Sequence, residues 1–196
     1  NLVMIESLKK LNLSQKLEEC KWSGAVNFLL IRDHVLLIKR SEQMPTHAGQ
    51  LAFAGGHRNK SEVNPIDTAL RELNEETAID ISEVNTIGIL ASVSSSSLSK
   101  IIPVISYIDA DPKLLVSELK SNGEWDEAIL VPIEYFKDME RWSYGLSIKE
   151  NNEYKIYFCS INSDAFISTK SDSELKSHLL WGATAQMMWN FFKLCP

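Results

Sequence analysis

The chain has 196 residues, 44% of them hydrophobic and 23% charged, which is enough for one domain with a sizeable core. Its formal net charge of −6 argues against a nucleic-acid-binding surface, which is normally basic, while leaving room for local binding of a small phosphate-bearing molecule. No run approaches the roughly 18 apolar residues of a membrane span, and the N-terminal NLVMIESLKK lacks the cationic-then-apolar order of a signal peptide.

Cys20, Cys159 and Cys195 are scattered, with no metal-type spacing, so reduced structural thiols in a cytoplasmic protein are expected. Residue 1 is Asn, which makes Met4 a candidate natural start. Ile5, Leu8, Leu11, Leu13 and Leu17 recur at helical spacing and predict one or two short helices in an N-terminal extension, residues 1–22. Ser23–Ile31 and Val35–Arg40 are β-rich runs that read as a hairpin around Arg32-Asp33-His34. A polar loop follows, carrying Arg40, His47 and Gln50, groups able to contact a phosphate or a ribose. A lone loop histidine such as His47 is more often a local hydrogen-bonder. A short strand, Gln50–Ala54, then feeds a Gly55-Gly56 turn, where glycine lets backbone approach a ligand closely.

The next helix has a full set of start signals: Asn64 as N-cap, Pro65 at the first position and Asp67 in the first turn. Ile66, Ala69, Leu70, Leu73 and Thr77 form one stripe for a core. Glu72, Glu75 and Glu76, at i, i+3 and i+4, form a neighbouring acidic stripe. Such a trio is often only a solvated face. Its ordered setting, with Gly55-Gly56 and Glu62 before it and Arg71 beside it, favours hard oxygen ligands for Mg²⁺ or Mn²⁺. Glu72 and Glu76 lie one turn apart and project alike, whereas Glu75 is offset and suits a second metal or a proton transfer.

Beyond it, Thr86–Val93 and Lys100–Ile108 predict strands, with Pro103 suggesting an edge or bulge. Asp109–Pro112 reads as a turn. In Asn122–Pro132, Glu124 and Glu127 sit at an apolar strand, either as solvated charges or as further site groups. Pro132–Met139 predicts a short helix, and Trp142–Asn162 two strands whose tyrosines serve either packing or base stacking. Leu179–Leu194 reads as an amphipathic-to-buried helix, to which packing alone assigns no chemistry.

Residues 55–79 resemble the Nudix box, Gly-x5-Glu-x7-Arg-Glu-apolar-x-Glu-Glu-x-Gly-apolar, through Gly56, Glu62, Arg71, Glu72, Leu73, Glu75, Glu76 and Ile79. Eight residues rather than seven separate Glu62 from Arg71, and Ala78 replaces the box's last Gly. The longer spacing resembles the coenzyme A pyrophosphatase branch. So does the preceding segment, through Leu36, Leu37, Arg40, Ser41, His47, Gly49, Gln50, Phe53, Gly55 and Gly56, and the Trp181-Gly182-Ala183-Thr184-Ala185 stretch. Ile38, Pro45 and Ala54 depart from that segment, and Pro45 removes an Arg suited to a bidentate phosphate contact.

The resemblance implies an α/β/α sandwich with a mixed β-sheet and a loop-helix-loop box, one Nudix domain over 1–196. It implies a metal set of Gly56 (by its carbonyl), Glu72, Glu75, Glu76 and Glu124, with catalytic groups Glu75, Glu72, Glu76, Arg71 and Glu127, Arg71 orienting a glutamate. Arg40, His47, Gln50 and Gly55 are the expected substrate contacts, with Mg²⁺ or Mn²⁺ as cofactor. The implied reaction is hydrolysis of a diphosphate bridge, in coenzyme A or a derivative, giving 4′-phosphopantetheine and 3′,5′-ADP. ADP-ribose, NADH or another nucleoside diphosphate derivative is the second reading, and a non-catalytic nucleotide-binding protein the third. The expected partner is that small molecule, with no nucleic acid and no membrane; a homodimer is left open.

Overall fold

Two apolar strands, β1 (Gly24–Ile31) and β2 (His34–Arg40), meet in the expected hairpin, with Arg32 of its turn at φ 52°. They pair at Leu30–Val35 and Ile31–His34 and then part: β2 takes up β3 (Leu51–Ala52), and β1 takes up β4 (Ala54–His57). The computed structural model describes residue 6 and residues 22–95, 99–149 and 151–194. The predicted N-terminal helices therefore lie outside the described residues, apart from Glu6, which is helical, as do Cys20 and Cys195.

After β4 come α1 (Pro65–Thr77), β5 (Asn85–Ile89), β6 (Ile101–Ile108), α2 (Pro112–Glu118) and β7 (Trp125–Pro132). The rest of the chain supplies β8 (Trp142–Lys149), β9 (Asn152–Ile161), β10 (Ile167–Ser168), β11 (His178–Trp181) and α3 (Gly182–Leu194). The main sheet runs β10-β7-β2-β1-β6-β5, and it is mixed because β1 and β6 are parallel while its other pairs are antiparallel. A second sheet runs β11-β9-β8.

Alternation along the strands sends side chains to two cores. Leu29, Ile31, Leu36, Ile38, Ala128 and Leu130 pack with Leu73 of α1 and with Leu115 and Val116 of α2. Phe28, Leu30, Leu37, Ile129 and Val131 face the other way, toward Met187, Met188 and Phe191 of α3 and Tyr157 and Cys159 of β9. Phe28 is fully buried between Phe53 and Phe191, each ring centroid 4.6 Å away. The result is the expected α/β/α sandwich, with β8, β9 and β11 added on the α3 side. No helix among the described residues is long and apolar enough to cross a membrane.

Three local expectations are corrected. Gly55 and Gly56 form strand rather than turn, paired with Val26 and Ala25. A Cβ on Gly55 would lie 2.5 Å from the Ala25 carbonyl oxygen, so only glycine lets the two backbones come this close. Pro103 sits in an interior strand, not at an edge. Its carbonyl accepts from Leu90 N–H, so its missing N–H faces the side where β5 has already ended at Ile89. Residues 178–181 are strand β11, and the helix begins only at Gly182, whose φ of +68° marks the change of direction.

Candidate active site

Helix α1 starts where its sequence signals place it. Asn64 Oδ1 accepts from Asp67 N–H at 3.0 Å, and Pro65 occupies the first position. Its Ala69 and Leu73 are buried against the sheet, which leaves Arg71, Glu72, Glu75 and Glu76 along the flank that passes β4.

Arg71 gathers the acidic groups. Its Nε donates to Glu62 Oε1 at 2.7 Å, its Nη1 lies 2.8 Å from Glu72 Oε1 and 2.9 Å from Glu75 Oε2, and its Nη2 donates to the His57 carbonyl. Burial alone would lower the Arg71 pKa; the bonds to Glu62 and Glu72 more than offset it and hold the guanidinium above its ordinary range. Glu62 also accepts from Thr68 Oγ1 at 2.6 Å and Asn59 N–H at 2.7 Å. Burial pushes its carboxyl up, but Arg71, Thr68 and Asn59 together bring it below the usual value.

Glu76 is treated differently. Only 2% exposed, it accepts from Gly55 N–H at 2.9 Å, and its own carbonyl accepts from Trp125 Nε1 at 2.7 Å. Burial, reinforced by the charges of Glu124 and Glu72, pushes its carboxyl up to about 8 against the pull of Gly55 N–H and Arg40. Burial likewise raises Glu72, partly offset by Arg71, with Glu75 and Glu124 adding to the rise. Gly56 makes room for that side chain, since a Cβ there would fall 2.5 Å from the Glu72 carboxyl carbon.

Glu72, Gly55, Gly56, Glu124, Arg40, His47 and Gln50 line one cavity of about 1220 Å³. Within the loop, His47 Nδ1 lies 3.2 Å from Gln50 Oε1, and Arg40 Nε donates to the Thr46 carbonyl at 3.4 Å. Four expected groups do not line this cavity: Arg71 and Glu76, held as described above, and Glu75 and Glu127. Glu75 stays on Arg71 with its side chain 54% exposed. Glu127 is buried on the strand face shared by Ile129 and Val131, where it accepts from Ser168 Oγ at 2.7 Å. His178 Nε2 lies 3.2 Å from Glu127 but off the hydrogen-bond line, and Lys170 is 3.9 Å away. These partners outweigh burial and keep the Glu127 carboxyl below its ordinary value, so the structure makes it a packed ion pair apart from the cavity.

The NUDIX domain matches residues 21–146 of this chain. The chain belongs to the Nudix family. A Yersinia enterocolitica protein named as an uncharacterized Nudix hydrolase, NudL, is 34% identical over 158 residues, covering 79% of this chain and 70% of that one. Its namesake from Pectobacterium atrosepticum is 30% identical over 155 residues, with 79% and 71% covered. Among solved structures, the MutT protein of Methanosarcina mazei is 26% identical with a TM-score of 0.45, covering 61% of this chain and 82% of that one.

Nudix hydrolases generally need divalent metal ions, and the donors here suit one. Glu72, Glu76, Glu124 and the backbone of Gly56 offer hard oxygens, and two of these carboxyls are raised, chiefly by burial and further by neighbouring carboxylates whose charge a cation would offset. As arranged, Glu62, Glu72 and Glu75 face Arg71 and Glu76 faces Gly55, so among the described residues no three acidic, histidine or cysteine side chains converge as a ready metal cluster. The cavity of this Nudix hydrolase also takes in Tyr154 and Lys155 of β9, from the hairpin whose tyrosines were expected to serve packing or base stacking, and residues that sequence reasoning passed over: His57 at the end of β4, Asn59 after it, and Trp181 and Thr184 around the start of α3. For Trp181 and Thr184 the Trp181–Ala185 resemblance is the signal, and packing alone assigns it no chemistry.

Proposed function

We propose that this Nudix hydrolase cleaves the diphosphate bridge of coenzyme A or a derivative, releasing 4′-phosphopantetheine and 3′,5′-ADP. The observation that carries this reading is the meeting of two segments in one cavity: the box carboxylate Glu72 and the coenzyme A-type loop residues Arg40, His47 and Gln50. Glu72, Glu76, Glu124 and the Gly56 carbonyl would hold Mg²⁺ or Mn²⁺, which when bound neutralises the diphosphate and lowers the pKa of a coordinated water.

The chain's own residues do the rest. Arg71 fixes the direction of Glu72 and draws Glu62 and Glu75 away from the phosphates. Arg40, His47 and Gln50 donate to phosphate or ribose oxygens. A water oxygen attacks one phosphorus, the bridging P–O bond breaks, and the bridging oxygen leaves with the other phosphate. Glu124 accepts the water proton in this scheme, because it lines the cavity and is not held by Arg71.

Product identification by mass spectrometry tests the reading. Coenzyme A, ADP-ribose, NADH and nucleoside triphosphates would each be offered with Mg²⁺ or Mn²⁺. Preferential release of 4′-phosphopantetheine is expected; preferential cleavage of ADP-ribose or NADH would assign the site to that substrate group instead.

A further inference from the structure

The cavity has two unlike regions. One carries Glu72, Glu124 and Arg40, and Arg40 is close enough to pull the Glu76 carboxyl downward. The other, built from β9, β11 and the start of α3, carries a different cation, Lys155, while Tyr154 and Trp181 line it from the opposite face of the same strands. This second region lies beyond residue 146, outside the span that matches the NUDIX domain.

Lys155 is the one lysine among the described residues that line the cavity. Lys39, Lys137 and Lys170 each have a glutamate partner, at 3.2, 3.1 and 3.9 Å. Lys155 Nζ instead rests 4.2 Å from the Tyr144 ring centroid across the β8–β9 pair, and among the described residues it has no carboxylate partner. In a chain of net charge −6, a cation that lines a ligand cavity without an anionic partner is placed for an anion of the ligand. At about 1220 Å³ the cavity is larger than the roughly 300–1,000 Å³ of an ordinary small-molecule pocket, so it can hold a molecule extended well past its diphosphate.

We infer that Lys155 is a specificity residue that binds a phosphate monoester on the nucleoside end of the substrate, remote from the bond that is cut. This rests on the reading of the cavity as a coenzyme A-type site and deepens it. The branch motif's Arg is Pro45 here, and Pro45 does not line the cavity although Met44 and Thr46 do. Lys155 supplies, from a distant part of the sequence, the cation that position 45 lacks.

Calorimetry of 3′,5′-ADP against 5′-AMP tests this without any turnover, because the two differ only in the 3′-phosphate. Wild type is expected to bind 3′,5′-ADP roughly tenfold more tightly, as one charge-assisted contact would give. Lys155→Ala should erase the difference, Lys155→Glu reverse it, and Lys155→Arg retain it. Equal affinities in wild type, or a difference that survives Lys155→Ala, would overturn the inference. In parallel, the ratio of kcat/KM for coenzyme A over dephospho-coenzyme A should fall about tenfold in Lys155→Ala. Wild type that shows the binding difference but cleaves neither coenzyme would sink the proposed reaction while leaving the phosphate contact in place.

Discussion

At the scale of single residues, the site is a problem of like charges solved in two ways. Arg71 contacts Glu62, Glu72 and Glu75 through one guanidinium and offsets part of their charge, a set of contacts that a lysine ammonium cannot reproduce. Arg71→Ala would leave the buried Glu62 carboxylate without its cation. We expect a loss of about 2–3 kcal/mol of stability, measured by urea unfolding, and a smaller loss for Arg71→Lys. Glu76 has no such cation, and its carboxyl is pushed up to about 8 chiefly by burial. Between its ordinary value of 4.5 and about 8, the folded metal-free protein holds a proton that the unfolded chain has released. The stability this group contributes is therefore complete below about pH 4.5 and is lost as pH rises through 8. Thermal unfolding of metal-free wild type should show that fall, and Glu76→Gln should flatten it.

At the scale of elements, local signals were legible and long-range placement was not. Helix α1 was readable because Asn64, Pro65 and Asp67 act within one turn. Residues 179–181 were misread because a three-residue apolar run carries no period, and its pairing with β9 is tertiary. The choice between Glu124 and Glu127 was closed to sequence for a related reason: strand alternation fixes which face Glu127 shares, but not which face holds the cavity. Lys155 and Trp181 reach the cavity because the second sheet folds back onto it; alternation over Tyr154–Phe158 marks the Lys155 strand, whereas no spacing brings Trp181 beside it. Two substitutions probe the elements that frame the box. Ala78 ends α1 in the left-handed region, φ 61°, where the family pattern has glycine. Ala78→Gly should therefore stabilise the protein by about 1 kcal/mol, raising Tm by about 2–4 °C. Gly56→Ala would instead place a methyl against the Glu72 carboxylate. Since that side chain can swing aside, we expect folding to persist while activity drops at least about tenfold, as misplaced site groups typically cause.

At the scale of the whole molecule, the sandwich serves to hold two halves of a cavity at fixed distance. The splayed β1–β2 hairpin carries β4 and the box on one side, and α3 with the β11-β9-β8 sheet supplies the other. A cation at the carboxylates should couple to this frame, so Mg²⁺ or Mn²⁺ at about 100-fold above its Kd should add about 2.7 kcal/mol to stability. The most direct test of the account is turnover of coenzyme A by wild type and Glu76→Gln as Mg²⁺ or Mn²⁺ is titrated in, each variant first shown to be folded. The account predicts cleavage by wild type only when metal is present, and a fall of at least about a hundredfold in kcat for Glu76→Gln. Metal-independent cleavage, or a Glu76→Gln protein as fast as wild type, would contradict it.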